Sequence, residues 1–474
     1  MTVLDQSKPY CKYFEEFSAI PRGSYHEQAM SDYLMAFAKE HHLEAIQDER
    51  KNVIIYKPAT SGKEKAPVTM LQAHMDMAWE KNIDREFDFL TEGLKLEVKD
   101  GWLSAKGTTL GADDGVGVAY MMAVLADEEL AHPALECVFT VEEETGLDGA
   151  KTLHPEYLHA KYLVNLDHGG DDSTCVSNSG GLRAEAITKV NFEPVSDPVY
   201  EVSVTGLLGG HSGGMITKNR GNANKLLARV LYNLNLVHPI HLISIKGGLK
   251  DNAIPREAVA LISAATDISD VIAKIQTEYE EEFKDTDKGV KVSYKASSAD
   301  RQMDTKSTND VLNFMYLAPN GLQTLSTIID GLPTVSLNMG VVTTEEDSVN
   351  IAYSVRSPME SAKDDLRDQL IALGKLCNTT VTDGSRYPGW NYEANSVIRE
   401  VLRKALKEVR GFDLVEEATH GGLETGIIKS YLPDLDIITM GPTMLDIHTP
   451  NERLDLDSFD KCYLVLRRVL ELID

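Results

Sequence analysis

Apolar residues recur in two alternating patterns along the first 170 residues. Met30, Leu34 and Phe37 follow three-to-four spacing within residues 27–41, which predicts an amphipathic helix. Short apolar runs predict strands at VIIYKP, VTMLQAHMD, ALECVFTVEE and YLVNLDH, whereas GVGVAYMMAVLADEEL predicts a largely buried helix. Strands that alternate with helices indicate an α/β domain with a mixed, mostly parallel sheet flanked by helices.

The pattern changes near residue 180. From SNSGGLRAEAITKV onward, strands such as VYEVSV and AVALISAA alternate with helices such as NANKLLARVLYNL. At about residue 385, DGSRYPGWNYEANS predicts a linker that returns to a last α/β stretch containing LDIITMGP. We therefore predict that residues 1–184 and 386–474 form one α/β domain, and that residues 185–385 form an inserted α+β domain.

Composition and charge exclude several classes of partner. The 474 residues are 42% hydrophobic, which is enough for more than one buried core. The net charge of −27 disfavours nucleic acid and anionic membranes. The first residues lack a signal-peptide pattern, and no apolar run is long enough to span a bilayer, so we expect a cytoplasmic protein. Five scattered cysteines without a CxxC pair indicate reduced, mostly buried thiols.

Polar residues follow the predicted strands at their carboxyl ends. His74 and Asp76 end the run VTMLQAHMD, and residues two apart on an extended segment point to the same side. A carboxylate beside a histidine is typical of a metal ligand, because it fixes the tautomer and raises the basicity of the ring. Such a pair also occurs by chance on protein surfaces.

Two adjacent acids, Asp113 and Asp114, stand between glycines just before the predicted buried helix. An aspartate at this position can simply cap the helix N-terminus. It can also bind cations there, where the helix dipole favours anionic side chains. A carboxylate can bridge two cations with its two oxygens, which His and Lys cannot do.

Three consecutive acids, Glu142, Glu143 and Glu144, follow the strand VFTV. They form either a solvated turn or a catalytic pair in which one glutamate binds metal and its neighbour transfers a proton. Asp167 closes the next apolar run, where an aspartate before glycines is also a common turn former. His448 follows the last predicted strand. Taken together, these histidines and acids suit two divalent ions about 3.5 to 4 Å apart.

The order and spacing of these residues resemble the co-catalytic zinc exopeptidase family that includes carboxypeptidase G, aminoacylase and carnosinase. Within it, AHMDM, GTTLGADDGVGVA, EEETGLDGA, GGHSGG followed by GNANKLL, and GPT with HTPNE are similar to the bacterial aminoacyl-histidine dipeptidases. Gly115 follows the acidic pair where many relatives carry Lys, as in the dipeptidase branch. The resemblance covers nearly the whole chain.

The resemblance implies two divalent metal ions, zinc first, with cobalt or manganese as alternatives. One ion would be bound by His74, Asp113 and Asp167, and the other by Asp113, Glu144 and His448.

Two further acids would act without binding metal. Glu143 would be the general base for the metal-bridging water, and Asp76 would orient His74. Glu142 would be surplus and solvated.

The resemblance also makes the inserted domain a lid that contacts substrate. His211 would stabilise the oxyanion, Asn252 and Arg356 would bind the terminal carboxylate, and Glu424 would contact the free amine. Structural roles are the alternatives: a turn histidine, a loop asparagine and a surface arginine. His211 could act in its own chain or in a partner's site, so a homodimer is an open possibility.

The expected activity is hydrolysis of dipeptides, in particular Xaa-His and β-alanyl-histidine. The alternatives are a related di-metal amidohydrolase acting on N-acyl amino acids or tripeptides, and a non-catalytic relative that only binds peptides. The five ligand positions and Glu143 are all present, which favours an enzyme.

Overall fold

The computed structural model describes residues 2–474, in which helices and strands alternate along most of the chain. The α-helices are α1 (Pro9–Phe17), α2 (Gln28–Glu40), α3 (Ala112–Ala126), α4 (Asp148–Lys151), α5 (Ala223–Val237), α6 (Ser269–Glu282), α7 (Thr305–Leu317), α8 (Glu360–Leu376), α9 (Val397–Arg410), α10 (Glu424–Tyr431) and α11 (Leu456–Leu472). The strands of the first part are β1 (Glu44–Gln47), β2 (Val53–Lys57), β3 (Thr69–His74), β4 (Leu96–Lys99), β5 (Trp102–Ala105), β6 (Leu135–Thr140), β7 (Tyr162–Asn165) and β8 (Ser173–Asn178). The strands that follow are β9 (Gly180–Lys189), β10 (Phe192–Pro194), β11 (Val199–Thr205), β12 (Gly210–His211), β13 (Ile240–Gly247), β14 (Ala253–Ile254), β15 (Ala258–Ala264), β16 (Lys291–Ser297), β17 (Arg301–Met303), β18 (Gly321–Leu325), β19 (Pro333–Thr344), β20 (Ser348–Ser357), β21 (Thr379–Tyr387), β22 (Val415–Thr419), β23 (Asp436–Thr439), β24 (Met444–Leu445) and β25 (Arg453–Asp455).

Backbone contacts divide the chain into two compact units. Unit 1 contains Met1–Ser177, Tyr392–Ala418 and Leu423–Asp474, and unit 2 contains Asn178–Asn391 and Thr419–Gly422. The limits that the sequence predicts for the inserted domain, 185 and 385, stay a prediction.

Unit 1 is built on a six-stranded sheet in the order β1-β2-β6-β3-β7-β23. The strands β6, β3, β7 and β23 run parallel, whereas β1 and β2 add an antiparallel edge. All residues of β3 and β6 are buried, as expected of parallel strands covered on both faces. This sheet confirms the predicted α/β class and its mixed, mostly parallel order.

The burial of helix α3 explains why its sequence is apolar on every side. Nearly all of its residues are buried, and it packs against β3 and against α1. Asp113 and Asp114 depart from helical backbone angles, so the regular helix starts at Gly115. The carboxylates therefore stand at the very start of a buried helix, as the sequence predicts.

Unit 2 is an antiparallel sheet with helices packed on it. Its strands follow the order β16-β11-β15-β13-β19-β20-β9-β21, with β18 also paired to β19. Helix α5 contacts the strands β11, β13, β15 and β19, while α8 contacts β9, β20 and β21. The two-residue strands β12 and β14 pair beside this sheet, His211 opposite Ala253.

One local prediction is wrong. Residues 383–387, which the sequence assigns to a linker, are the end of β21 and pair with β9. Alternation in this strand is masked because its side chains are mostly exposed, so no apolar period marks it. All five cysteines are buried thiols, as predicted. Within residues 2–474, no helix is both long enough and apolar enough to cross a membrane.

Candidate metal centre

Three parallel strands of unit 1 end side by side and deliver the predicted residues to one edge. His74 is the last residue of β3 and pairs with Thr140, the last residue of β6. Gln72 of β3 pairs with Asn165, the last residue of β7. The acids after β6 and Asp167 after β7 therefore lie at the same carboxyl edge, where α/β sheets bind ligands.

Asp113 lies between the two predicted histidine ligands. Its Oδ1 is 3.0 Å from His74 Nε2, and its Oδ2 is 3.1 Å from His448 Nε2. The two carboxylate oxygens thus face different histidines.

The other predicted ligands lie around the same pair of contacts. His448 Nε2 is also 3.0 Å from Glu144 Oε2, and the other oxygen of Glu144 accepts the backbone N–H of Ala78. Asp167 offers a carboxylate oxygen within 4.8 Å of His74 and Asp114. The structure therefore brings the five predicted ligands together.

Asp76 contacts His74, Ser24 and the backbone of the glutamate pair. Its carboxylate is fully buried and lies 3.3 Å from His74 Nδ1. It also accepts the backbone N–H groups of Glu143 at 3.1 Å and Glu144 at 3.3 Å, and the hydroxyl of Ser24 at 2.8 Å. The carboxylate thus lies beside the His74 ring and accepts from the backbone of the glutamate pair, while the carbonyl of Asp76 is 3.2 Å from His74 Nδ1.

Asp114 differs from its neighbour in role. Its Oδ1 accepts the backbone N–H of Gly117 at 3.1 Å, which is a helix N-cap contact. Its Oδ2 has no hydrogen-bond partner among the described residues, and burial holds the pKa of its carboxyl well above the ordinary value. The capping alternative weighed for this acidic pair thus describes Asp114, while Asp113 faces the histidines.

The pKa shifts at the centre indicate that its acids favour additional positive charge. Burial alone would lower the pKa of His74, but hydrogen bonds with Asp113 and Asp76 hold it well above the ordinary value. Contacts with Asp113 and Glu144 raise the pKa of His448 to about 10. Burial and the charge of Asp113 raise the pKa of Asp167 to about 7. The carboxylates thus need more cationic charge than the imidazoles alone supply.

The donor set fits divalent metal ions. Imidazole nitrogen and carboxylate oxygen are the ligands that zinc, cobalt and manganese accept. His74, Asp113 and Glu144 each offer a donor atom within 4.8 Å of the others, and so do His74, Asp114 and Asp167. Residues at this edge of unit 1 can therefore hold metal.

Glu142 and Glu143 have unlike surroundings although they are adjacent. Glu142 adopts a left-handed backbone and forms an ion pair with Arg50, and it is only 7% exposed. The expectation that Glu142 is solvated is therefore wrong, because Arg50 from the loop before β2 covers it. Burial raises the pKa of Glu143 well above the ordinary value.

Unit 2 brings together two of the four predicted substrate residues and places a third next to them. Arg356 Nη2 is 3.4 Å from His211 Nε2. The carbonyl of Asn252 accepts the backbone N–H of Ser212, so the Asn252 turn is joined to the His211 strand. Arg356 is 6% exposed, and its Nε has no partner among the described residues.

His420 is a residue of this cluster that the sequence reasoning missed. Its Nδ1 and Nε2 are each 2.7 Å from a serine hydroxyl, those of Ser179 and Ser336, and its carbonyl accepts from Arg356 at 3.3 Å. The ring is buried, and burial and the charge of Arg356 lower its pKa to about 3. Residues 420–426 read HGGLETG, and only the fold shows which serines the histidine contacts.

Glu424 lies in unit 1, where it is the first residue of α10. Its Oε2 accepts from Gln72 at 2.6 Å and from Thr140 at 2.7 Å, and the side chain is fully buried. Burial raises its pKa to about 7. Its Oε1 has no partner among the described residues, so this oxygen alone is available to a further group.

Comparison with known proteins identifies the relatives of this architecture. Residues 70–472 match the family described as Peptidase family M20/M25/M40. The cytosol non-specific dipeptidase of Escherichia coli (strain K12) is 34% identical over 471 residues, which cover 98% of this chain and 97% of that protein. The crystal structure of aminoacylhistidine dipeptidase from Vibrio alginolyticus has a TM-score of 0.93 and 30% identity, covering 100% of this chain and 98% of that one. Aminopeptidase PepT from Bacillus cereus shares the fold, with a TM-score of 0.58, 17% identity and coverage of 99% and 98%.

The fold, the donor set and these matches define an enzyme of the metallopeptidase class. More particularly, the chain belongs to peptidase family M20/M25/M40. This confirms the resemblance inferred from the sequence motifs.

Proposed function

We propose that this protein is a dipeptidase that uses two divalent metal ions, zinc in the first place, and acts on dipeptides with free termini, including Xaa-His and β-alanyl-histidine. Full-length similarity to the Escherichia coli dipeptidase and to the Vibrio alginolyticus aminoacylhistidine dipeptidase supports the substrate class. The name of the Escherichia coli relative also supports a cytoplasmic location. The observation that carries the proposal is Asp113, whose two oxygens face His74 and His448.

In this proposal His74, Asp113 and Asp167 would hold one ion, and Asp113, Glu144 and His448 would hold the other. The contacts of Asp113 with both histidines support its place as the shared ligand. When bound, such ions act as Lewis acids that polarise the scissile carbonyl and acidify water.

Glu143 moves the proton in the proposed reaction. It takes a proton from the attacking water and returns it to the leaving amine, so that one side chain serves as base and then as acid. Asp76 holds the backbone of Glu143 in place through the 3.1 Å hydrogen bond to its N–H.

Residues of unit 2 recognise the substrate in this proposal. Arg356 binds the terminal carboxylate, because its buried Nε is a vacant donor and a guanidinium can pair with a carboxylate through two N–H groups. Asn252 contributes to the same carboxylate, and His211 stabilises the oxyanion. Partial burial and the neighbouring charge of Arg356 lower the pKa of His211.

The free amine of the substrate is assigned to Glu424. Its Oε2 is already held by Gln72 and Thr140, so the contact would use Oε1.

The test is a substrate panel on protein reconstituted with zinc, cobalt or manganese. It contains β-alanyl-histidine, other Xaa-His dipeptides, ordinary dipeptides, tripeptides and N-acyl amino acids. We expect dipeptides to be cleaved fastest. Turnover of N-acyl amino acids or tripeptides alone would contradict the dipeptidase proposal, and fewer than one bound ion per chain would contradict the metal centre.

Two matched variants test the role of Glu143. Glu143→Gln should lower kcat by about 10²- to 10⁴-fold while the metal content stays native, because no ligand is changed. Glu142→Gln, the same substitution one residue earlier, should keep kcat within a few-fold of native, since Glu142 faces Arg50. A Glu143→Gln enzyme with near-native kcat would show that Glu143 is not the base.

A further inference from the structure

Glu452 binds the backbone of the loop that carries Asp113. Its Oε2 accepts the N–H groups of Leu110 at 2.8 Å and Gly111 at 3.0 Å. Its Oε1 accepts those of Ala112 at 2.8 Å and Asp113 at 3.4 Å. The side chain is 2% exposed, so four consecutive backbone donors depend on one buried carboxylate rather than on solvent.

Glu452 also belongs to the loop that carries His448. It stands four residues after this histidine, and its own backbone N–H donates to Thr449. One side chain therefore joins the His448 loop to the Asp113 loop. These are the two loops whose side chains meet at 3.1 Å between His448 Nε2 and Asp113 Oδ2.

Arg22 holds the opposite side of the Asp113 loop. Its Nη2 donates to the carbonyl of Gly111, and its Nη1 donates to the carbonyls of Met75 at 3.0 Å and Asp76 at 3.1 Å. The guanidinium is 2% exposed and lies over the ring of Phe17. It thereby links the Asp113 loop to the end of β3, where His74 is located.

The shape of the loop is adapted to Arg22. A Cβ atom on Gly111 would lie 2.5 Å from Arg22 Nη2, and a Cβ atom on Gly115 would lie 2.8 Å from the same nitrogen. Gly111 also has a positive φ of 64°, which glycine adopts without strain. The two glycines beside the acidic pair therefore leave room for the guanidinium as well as for the turn.

From these contacts we infer that Arg22 and Glu452 are positioning residues of the metal centre, which together hold the segments of His74, Asp113 and His448 in the arrangement that metal binding requires. The inference rests on the proposed ligand set. Neither residue contacts a metal-binding atom of the proposed ligands. Both act through the backbone, so their removal should change how well Asp113 reaches both histidines.

Glu452→Gln is the informative variant because it keeps the size of the side chain. Each oxygen of Glu452 accepts from two backbone N–H groups, so an amide NH₂ in either place faces two donors that it cannot satisfy. The loop must then move. Partners of this kind, one step removed from the ligands, typically change metal affinity by about 10- to 100-fold when mutated.

Glu136→Gln is the matched control. Glu136 is also 2% exposed and its carboxylate accepts the backbone N–H groups of His159 and Ala160, yet these lie before β7 and carry no proposed ligand. It should lose stability in a similar way and leave metal binding unchanged. The comparison separates positioning of the centre from general stability.

The experiment titrates metal-free full-length protein with Co²⁺ and records both affinity and the visible absorption spectrum. We expect Glu452→Gln to bind Co²⁺ about 10- to 100-fold more weakly than native protein with an altered spectrum, while Glu136→Gln matches native. Arg22→Lys should also weaken binding, because one ammonium cannot span the carbonyls of Met75 and Gly111. If Glu452→Gln fails to fold, Arg22→Lys tests the inference in its place.

Each outcome has a distinct meaning. Native affinity and a native spectrum in both Glu452→Gln and Arg22→Lys would overturn the inference and leave the proposed function standing. Equal weakening in Glu136→Gln would also overturn it, since the effect would then follow from stability alone. If native protein itself binds no Co²⁺, the proposed metal centre fails first.

Discussion

Replacing Asp76 with Asn removes one negative charge from beneath the metal centre and keeps the shape of the side chain. The carboxylate has four neighbours: His74 Nδ1 and the Glu143 N–H at Oδ1, and the Ser24 hydroxyl and the Glu144 N–H at Oδ2. An amide nitrogen at the Oδ1 position would face the Glu143 N–H. At the Oδ2 position it would face the Glu144 N–H, while the Ser24 hydroxyl can rotate and accept.

The second orientation of the amide therefore costs less free energy, and it sets the expected loss of stability. One half-buried N–H, that of Glu144, loses its acceptor, which lowers the free energy of unfolding by about 1 kcal/mol. His74 keeps an acceptor at Nδ1 but loses the negative charge that makes the ring a stronger ligand. We expect metal affinity to fall by about 10- to 100-fold.

The assay combines urea unfolding of metal-free protein with metal titration. Ser24→Ala is the control, because it removes one donor to Asp76 and leaves the charge beside His74. It should keep metal affinity within a few-fold of native. Native metal affinity in Asp76→Asn would refute the assignment of Asp76 as the residue that orients His74, whatever happens to stability.

Three further predictions concern other parts of the chain. Arg356→Lys should raise KM for dipeptides by about 10- to 100-fold with a smaller change in kcat, because a bidentate charged contact is lost, and equal KM effects on a C-terminally amidated dipeptide would contradict carboxylate binding. The pKa of His420 is lowered from 6.5 to about 3, so the unfolded chain takes up a proton first and stability falls as pH drops below 6.5. Between pH 7 and 5 native protein should lose about 2 kcal/mol more than His420→Gln in chemical unfolding, and parallel losses would refute this. Gly115→Ala should destabilise by about 1–3 kcal/mol in thermal unfolding, since its Cβ would press on Arg22 and on the rings of Phe14 and Phe17; an unchanged melting temperature would contradict this.

The ligand residues could be predicted from the sequence because each one follows a recognisable strand. Apolar runs mark β3, β6 and β7, and the parallel register then brings their carboxyl ends together. Because each of them stands at the end of an apolar run, the sequence was enough to group His74, the glutamates and Asp167. The choice between Asp113 and Asp114 also needed the family resemblance, and the structure supplies the physical difference, since Asp114 caps Gly117.

Residues that act through distant backbone groups could not be predicted in this way. Arg22 meets a carbonyl 89 residues away, His420 meets a serine 241 residues away, and Glu452 meets an N–H 340 residues away. No local period or motif encodes these pairs. Glu142 shows the same limit, because its partner Arg50 lies 92 residues earlier and turned an expected solvated acid into a buried ion pair.

The buried acids of the centre concentrate negative charge in a small volume. Burial raises the pKa of Asp114, Glu143, Asp167 and Glu424, and carboxylates this close together repel one another. Arg22 adds one positive charge, and its pKa is lowered by burial but supported by Glu452 and Asp76. Arg22 and the two imidazoles supply at most three positive charges to this set, whereas two divalent ions would add four. The arrangement is therefore best understood as a site in which distant residues fix the backbone and bound metal neutralises the acids, so that stability of unit 1 should rise with metal binding.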